Sequence, residues 1–299
     1  MTELIVAEPD PRSRMIGVFL LLVGGLLVGF AAIGLRLSVV DGLGPQTTAF
    51  WRFGLALPMI LSVFLVRGKL PSKPSIFAIL TGFAFGMDIS IWHLSLTMTS
   101  VANSTFIVNM GSLFVGFLAW IVLKDRPSVF WGGAVILALI GVYFLSTGKT
   151  GTSGSGNIRG DLVALIASCF LSSYFLFGKI ARNTMSALDV LFWATLTMCI
   201  VAGVMCFVFG EPILPPEPQQ LSWPLAIAFF SHFLGQGCII AGLGRAPAAI
   251  AGVMVIVQPV ASAIISWPVF GEELALLQLF GAGLILSALL VAQIPSKRR

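Results

Sequence analysis

Long runs of apolar residues follow one another along almost the whole chain, and little polar sequence separates them. A membrane-spanning helix needs about 20 apolar residues, so a chain of 299 residues built in this way has material for about ten crossings. Only 10% of the residues are charged, whereas soluble domains average about 25%. The runs are long and do not alternate, which excludes a β-barrel. We therefore predict an all-α membrane protein with ten transmembrane helices.

The apolar runs fall into two groups of five, because a flexible stretch rich in Gly, Ser and Thr separates the fifth run from the sixth. The predicted spans are 15–37, 46–66, 74–97, 101–122, 129–146, 159–180, 187–209, 222–244, 248–269 and 275–294. The predicted organisation is a cytoplasmic tail at 1–14, a first five-helix repeat at 15–146, a linker at 147–158, a second repeat at 159–294 and a basic cytoplasmic C-terminus at 295–299.

Basic residues concentrate in alternate loops, and this asymmetry predicts how the chain is oriented. With the N-terminus in the cytoplasm, most Lys and Arg residues fall on the inner side, including Arg67, Lys69 and Arg182. Both termini are then cytoplasmic, and we expect a multi-pass protein of the bacterial inner (plasma) membrane with the lipid bilayer as its surroundings. The net charge of +5 is accounted for by these loops, so no nucleic-acid partner is expected.

The two groups of spans resemble each other in sequence. Asn109 in the fourth span aligns with Gln258 in the ninth, and Phe50-Trp51 in the second span corresponds to Phe192-Trp193 in the seventh. An odd number of spans in each half places the second half upside down in the membrane. Inverted repeats of this kind occur in many transporters, with the substrate site near the midplane between the repeats. The pattern predicts two inverted five-helix repeats around a central cavity.

Asp88 is an acidic residue deep within a predicted span. A charge at that depth costs at least about 2.5–3.5 kcal/mol, so Asp88 needs a cavity, a partner or a proton. Two functional interpretations follow: Asp88 couples transport to protons, or it anchors an ammonium group of the substrate. The alternative is a structural carboxylate held by neighbouring donors. We favour a functional role, because intramembrane carboxylates are functional by default.

Both histidines also lie within predicted spans, and neither has a metal-ligand companion at i+3 or i+4. His93 has no counterpart in the second half, and an asymmetric feature suits substrate specificity, so we predict that it contacts the substrate. His232 has Gln236 four residues later, on the same helix face. We place His232 with Asp88 as a coupling residue or as part of a polar cavity. A histidine satisfied by one hydrogen bond within the bundle remains an equal alternative for His232.

Aromatic and amide side chains complete the predicted site. An aromatic side chain can stack on a planar substrate, and uncharged amides can both donate to a carboxylate and accept from an ammonium group. The same amides also serve as ordinary hydrogen bonds between helices. The predicted substrate-binding residues, with His93, are Trp92, Asn109, Tyr174, Trp193, Gln236 and Gln258. No metal site and no cofactor is expected, because paired metal-ligand spacings and nucleotide-binding motifs are absent from the sequence.

Several short motifs resemble the ten-span EamA-type branch of the drug/metabolite transporter superfamily. They are Phe50-Trp51-Arg52-Phe53, Gln258-Pro259 and Gly271-Glu272-Glu273. The stretch MDISIWHLSLTMTSVANSTFIVN, which begins at Met87, resembles the bacterial aromatic amino-acid exporters of that superfamily. The resemblance implies export of Phe, Tyr, Trp and related compounds across the inner membrane.

The sequence is compatible with three functions. The leading one is a secondary transporter that exports aromatic amino acids and related small metabolites by alternating access, with protons as a second candidate partner. The alternative is a drug or metabolite exporter of broad specificity from the same superfamily. A membrane-embedded enzyme is the remote alternative from another class, and it is disfavoured because Asp88 has no second intramembrane carboxylate beside it.

Overall fold

The computed structural model describes residues 11–111, 114, 118, 129–147, 157–243, 245, 248–271 and 275–291. Within these ranges all regular structure is helical and no strand is present. The helices are α1 (Pro11–Val40), α2 (Pro45–Val66), α3 (Ile76–Met98), α4 (Val101–Val108), α5 (Val129–Thr147), α6 (Ile158–Arg182), α7 (Ala187–Phe209), the composite α8 described below, α9 (Ala248–Phe270) and α10 (Leu276–Val291). The expected C-terminal segment and most of the expected N-terminal tail and linker lie outside the described residues.

Six of the described helical stretches are long and apolar enough to cross a membrane: Met15–Val40, Pro45–Val66, Ile76–Met98, Ile158–Arg182, Ala187–Phe209 and Pro218–Gly242. Shorter apolar helices occur at Phe130–Gly141, Ala261–Phe270 and Leu276–Ala288. Large apolar side chains face outward; Val66, Phe207 and Leu276 are 88%, 76% and 85% exposed. Such a surface is unsuited to water and suited to lipid. The chain is a multi-pass membrane protein.

Glycines allow the helices at the centre of the bundle to lie close together. A Cβ atom added to Gly34 on α1 would lie 2.6 Å from Cγ1 of Ile227, and one added to Gly82 on α3 would lie 2.4 Å from the carbonyl oxygen of Ala194 on α7. No larger side chain fits at either position without moving a neighbouring helix. Small residues serve this purpose in membrane proteins, where the lipid is as apolar as the helix surface.

The helix α8 changes its hydrogen-bonding pattern along its length. It begins as a 3₁₀ turn, Pro218–Leu221, and continues as α-helix at Ser222–Ala226, as π-helix at Ile227–Gln236 and again as α-helix at Gly237–Leu243. Most π-helical stretches are single turns, and they occur often at functional sites. The apolar pattern of the sequence predicts an ordinary helix at 222–244, and the π-helical stretch is a departure from that expectation.

The fourth predicted span, 101–122, is interrupted in the structure. The helix α4 ends at Val108, and Asn109 and Met110 form a turn before the backbone is again helical at Gly111. Nδ2 of Asn109 donates a hydrogen bond to the carbonyl oxygen of Thr105 at 2.7 Å. A side chain that bonds to the preceding turn competes with the regular helical pattern. Most of the rest of this predicted span lies outside the described residues.

Candidate functional site

A small cavity lies at the centre of the bundle, between helices from both halves of the chain. Its volume is about 30 Å³, which is enough for one or two water molecules. Helices α1 to α4 contribute one part of the wall, and α6, α8 and α9 contribute the other. The lining residues are Val28, Arg52, Phe85, Asp88, Ile89, Trp92, Val108, Leu171, Tyr174, Phe175, Gln236, Ile239 and Gln258.

Five of the nine residues that the sequence predicts for the site line this cavity: Asp88, Trp92, Tyr174, Gln236 and Gln258. They come from four helices, and the first two lie one helical turn apart on α3. The structure thus brings together a carboxyl group, an indole, a phenol and two amides. These are groups that can contact both the polar and the aromatic part of a small amphipathic molecule.

Tyr174 and Gln236 are joined across the cavity wall. The hydroxyl of Tyr174 donates a hydrogen bond to Oε1 of Gln236 at 2.8 Å, and both side chains are buried. The ring of Tyr174 lies 4.5 Å from that of Phe85, measured between centroids. The phenol thus uses its proton within the protein, and the pair joins α6 to α8 at the cavity wall.

Arg52 is the residue of this cavity whose role the sequence analysis did not anticipate. Its side chain is completely buried. Nη2 donates to the hydroxyl of Ser231 at 3.3 Å, and the guanidinium lies 5.5 Å from the centroid of the Phe53 ring. Nε and Nη1 have no hydrogen-bond partner among the described residues. The sequence shows an arginine inside a predicted span, but it does not show which of the guanidinium nitrogens lack a hydrogen-bond partner.

Asp88 and Trp92 also carry unused polar atoms. Oδ1 of Asp88 and Nε1 of Trp92 are buried and have no hydrogen-bond partner in the described part of the chain. No direct ion pair joins Asp88 to Arg52, and the two charges interact only through space. The cavity therefore contains a guanidinium, a carboxyl group and an indole N–H whose hydrogen-bonding capacity is not filled by the described part of the chain.

His232 lies on the π-helical stretch of α8 and bonds to α7. Its Nε2 is 2.8 Å from the hydroxyl of Thr195, which itself donates to the carbonyl oxygen of Leu191 at 2.6 Å. Because the hydroxyl has one proton, Nε2 of His232 is the donor in the first of these hydrogen bonds. Nδ1 is buried and has no partner among the described residues. The ring contacts Phe53 edge-on, with 5.0 Å between centroids.

Three residues of the π-helical stretch of α8 bond to three different helices. Ser231 bonds to Arg52 on α2, His232 to Thr195 on α7, and Gln236 to Tyr174 on α6. A wider helical turn changes which residues share a face, so sequence spacing based on 3.6 residues per turn does not predict this arrangement. The apolar pattern of the sequence at 222–244 does not distinguish this stretch from an ordinary helix.

Four predicted site residues are absent from the cavity lining: His232, whose contacts are given above, and His93, Trp193 and Asn109. Nδ1 of His93 donates to the carbonyl oxygen of Pro45 at 2.9 Å, which ties α3 to the start of α2. The indole of Trp193 donates to the carbonyl oxygen of Ser72, in the segment between α2 and α3. Asn109 is buried in the turn after α4. His93 neighbours the site through Trp92, whose ring centroid is 5.8 Å away.

The described residues contain no group of three or more His, Cys, Asp or Glu side chains placed to hold a metal ion. The site consists of an arginine, an aspartate, amides and aromatic rings within a bundle of apolar helices. A polar cavity between the helices of a multi-pass bundle is the arrangement by which membrane transporters hold a solute.

The chain belongs to the EamA-like transporter family, whose model matches residues 15–147 and again residues 158–293. Its relatives include the uncharacterized transporter YyaM of Bacillus subtilis strain 168, with 26% identity across 93% of this chain and 94% of the relative. An uncharacterized transporter of Archaeoglobus fulgidus is 25% identical across 86% of this chain and 91% of its own length.

A crystal structure of another protein shares the fold. Its TM-score is 0.68, with 15% sequence identity, and the match covers 93% of this chain and 96% of that chain. At this identity the likeness concerns the fold alone. The family and the relatives establish a membrane transporter of the drug/metabolite transporter superfamily, which acts on a small-molecule substrate.

Proposed function

We propose that this protein is a secondary transporter that exports aromatic amino acids and related small metabolites across the bacterial inner membrane. The observation that carries the proposal is the composition of the central cavity, in which Phe85, Trp92 and Tyr174 lie beside Asp88 and Gln236. Rings can hold a planar side chain, and the polar groups can hold an amino-acid backbone. The sequence resemblance of the Trp92-His93 region to aromatic amino-acid exporters supports the same substrate class.

The architecture we propose is ten spans in two inverted repeats of five. Two separate matches of the family model, at residues 15–147 and 158–293, support two repeats. Helix packing supports a two-fold relation between the repeats: α1 packs against α8 and α9, and correspondingly α6 packs against α3 and α4. The equivalent helices α2 and α7 pack on each other, as do α5 and α10. Exchanging the two halves leaves this set of contacts unchanged.

We propose that both termini are cytoplasmic and that transport occurs by alternating access. The support for the orientation is the distribution of Lys and Arg between the loops. The cavity volume of about 30 Å³ supports alternating access, because ligand pockets measure about 300 Å³ or more. A substrate can enter only when helices around the cavity separate, so the described conformation is the contracted one.

A drug or metabolite exporter of broad specificity is the second candidate. The cavity wall favours it in one respect, since apolar residues such as Val28, Ile89 and Leu171 make up much of the lining. An apolar wall distinguishes poorly between substrates of similar size. The polar groups at the cavity favour the narrower substrate class, because a ligand that leaves buried polar groups unpaired binds weakly.

Counterflow in proteoliposomes distinguishes these candidates. Purified protein is reconstituted with unlabelled Phe, Trp, Leu, Lys or a cationic dye inside, and uptake of the same labelled compound is followed. We expect accumulation with Phe and Trp and none with the dye. Accumulation with the dye alone would support the broad exporter. Trp92→Ala should reduce counterflow severely, whereas Trp267→Ala, a 60% exposed tryptophan outside the cavity, is the matched control and should retain it.

A role for Asp88 in proton coupling requires a separate test. If Asp88 carries the coupled proton, Asp88→Asn should abolish the pH dependence of net uptake while counterflow, which needs no driving force, continues. The matched control is Asp161→Asn, since Asp161 is equally buried but lies in the first turn of α6. Unchanged pH dependence in Asp88→Asn would rule out the coupling role and leave the alternative of a substrate contact.

A further inference from the structure

The polar groups of the cavity divide into those that the protein satisfies and those that it does not. The hydroxyl of Tyr174 and Oε1 of Gln236 are paired with each other through one hydrogen bond. Arg52 and Asp88 are not paired in this way: two nitrogens of the guanidinium and one oxygen of the carboxyl group are buried without a partner among the described residues. Unfilled capacity on buried charged groups is costly, so its presence at a cavity indicates where a ligand binds.

The charge on Arg52 is permanent in this setting, because a guanidinium is not deprotonated in proteins. The carboxylate of Asp88 also lines the cavity, yet the two groups are not in contact and interact only through space. A structural ion pair in a membrane protein would be closed, with the hydrogen-bonding atoms of both partners used. Arg52 and Asp88 do not form such a closed pair, and both side chains line the cavity.

We infer that Arg52 binds the carboxylate of the substrate while Asp88 binds its ammonium group, so that the cavity is a receptor for a zwitterion. This inference rests on the proposed function and deepens it, because it names the part of an amino-acid substrate that the cavity recognises and the residues that recognise it. A zwitterion has no net charge, and the two protein charges also sum to zero. Binding therefore pairs all four charges and adds none to the interior of the membrane.

The surroundings of Arg52 hold it in position for this role. Ser231 accepts from Nη2 at 3.3 Å, and the Phe53 ring lies beside the guanidinium. These contacts use one side of the group and leave Nε and Nη1 unused. Charge-assisted hydrogen bonds to a carboxylate are among the strongest that arginine forms. The rings of Phe85 and Tyr174, which line the same cavity, are available to the substrate side chain.

The inference predicts that neither charged group of the substrate is dispensable. Phenethylamine has the ring and the ammonium group of phenylalanine but no carboxylate, so it would leave Arg52 unpaired. 3-Phenylpropionate has the ring and the carboxylate but no ammonium group, so it would leave Asp88 unpaired. Loss of one charge-assisted contact corresponds to a weakening of about tenfold or more.

The test measures the affinities of purified wild-type protein and variants for phenylalanine, phenethylamine and 3-phenylpropionate, from ligand-induced shifts in thermal unfolding. We expect wild type to bind phenylalanine at least about tenfold more tightly than either analogue. In Arg52→Gln, phenylalanine should lose its advantage over phenethylamine, whose own affinity should not fall, because it makes no favourable contact with Arg52. In Asp88→Asn, phenylalanine should weaken to the level of 3-phenylpropionate. Arg36→Gln and Asp161→Asn are matched controls outside the cavity lining and should retain the wild-type preference.

Equal affinity of wild type for phenylalanine and either analogue would overturn the inference, and so would an Arg52→Gln variant that weakens phenylalanine and phenethylamine by the same factor. Where Arg52→Gln does not fold, the wild-type comparison decides alone. Including leucine separates this inference from the proposed function. Preference for leucine over leucine stripped of its carboxylate, without binding of phenylalanine, would keep the zwitterion receptor and reject the aromatic substrate. Phenylalanine counterflow that phenethylamine inhibits as strongly as unlabelled phenylalanine does would keep the aromatic substrate and reject the zwitterion receptor.

Discussion

Hydrogen bonds connect the helices α2 and α7 at both ends of the pair, and the two ends differ in the partners and the burial of these bonds. At the Glu211 end, α2 begins beside the segment that follows α7. The Glu211 carboxylate accepts hydrogen bonds from the backbone nitrogens of Gln46 at 2.8 Å and Thr47 at 2.9 Å. The indole of Trp51 donates to the carbonyl oxygen of Ile213 at 2.7 Å. The start of α2 is thus capped by a carboxylate from a distant part of the chain.

At the Asp189 end, α7 begins beside the segment that follows α2. The indole of Trp193 donates to the carbonyl oxygen of Ser72 at 2.7 Å, and Asp189 accepts from the backbone nitrogen of Ser72 at 2.8 Å. The indole contact is therefore the same at both ends. The carboxylate contact is not, because Asp189 holds one loop amide at an exposed position, whereas Glu211 holds two amides of a buried helix start.

This difference indicates which end of the helix pair separates more easily. Hydrogen bonds to a charged group are stronger when they are shielded from water, and exposed ones contribute little. We expect the Asp189 end to open at lower cost than the Glu211 end. In the proposed orientation, the Asp189 end faces the cytoplasm, so the conformation open to the cytoplasm would be the more accessible of the two.

Among the changes at the two ends, removing the carboxylate of Glu211 should lower the free energy of unfolding most. Glu211→Ala leaves two backbone amides at the start of α2 without their acceptor, and we expect a loss of about 2 kcal/mol in the free energy of unfolding. Unfolding in detergent micelles measures it. The control is Glu217→Ala, since Glu217 lies in the same connecting segment and caps only its own 3₁₀ turn. Equal losses in the two variants would contradict the assignment of the Glu211 contact as a helix cap.

A glycine at residue 44 should be needed for full stability only in a protein that has Glu211. A Cβ atom at residue 44 would lie 2.1 Å from Oε2 of Glu211, although the backbone there is extended and acceptable for alanine. We expect Gly44→Ala to cost about 1 kcal/mol in the wild-type background and close to nothing in the Glu211→Ala background. A double-mutant cycle measures this coupling. Additive effects would show that the glycine is needed for another reason.

The two indole contacts should differ because their surroundings differ. Trp51→Phe and Trp193→Phe each remove one N–H donor while keeping a ring. We expect about 1 kcal/mol of destabilisation for Trp51→Phe and about half of that for Trp193→Phe, whose carbonyl partner water can solvate. The comparison of the two unfolding midpoints is the measurement. A larger loss at Trp193 would reverse our ranking of the two ends.

The smallest effect is expected at Asp189. Asp189→Asn keeps one oxygen that can accept from the backbone of Ser72, and it removes the charge together with the oxygen that accepts from the hydroxyl of Ser186. Both contacts are exposed, so we expect a loss of about 0.5 kcal/mol or less. Glu211→Gln is the corresponding change at the other end and should cost more, because its contacts are partly buried. Repeating both measurements at high salt sharpens the distinction, since exposed charges are screened more strongly.

Much of the fold could be predicted from the sequence, whereas the site could be predicted only in part. The helical, multi-pass membrane character follows from local composition, and six long apolar helices among the described residues and the family match confirm it. Asp88, Trp92 and Tyr174 could be selected because polar and aromatic side chains deep in spans are unusual. The same reasoning selected Trp193, which bonds to a loop at one end of α7. Depth along a span says little about which face of the helix a residue occupies.

The sequence by itself determined that the chain crosses the membrane and how its basic loops are distributed, since the transfer of each residue into lipid depends mainly on that residue and its neighbours. Only the tertiary structure decided which polar groups are satisfied and which are left to a ligand. Oε1 of Gln236 accepts from Tyr174, 62 positions away, while Arg52 reaches Ser231, 179 positions away, and keeps two nitrogens without a partner among the described residues. Such pairings depend on helix packing and on the π-helical stretch of α8, and neither is a property of a local sequence pattern.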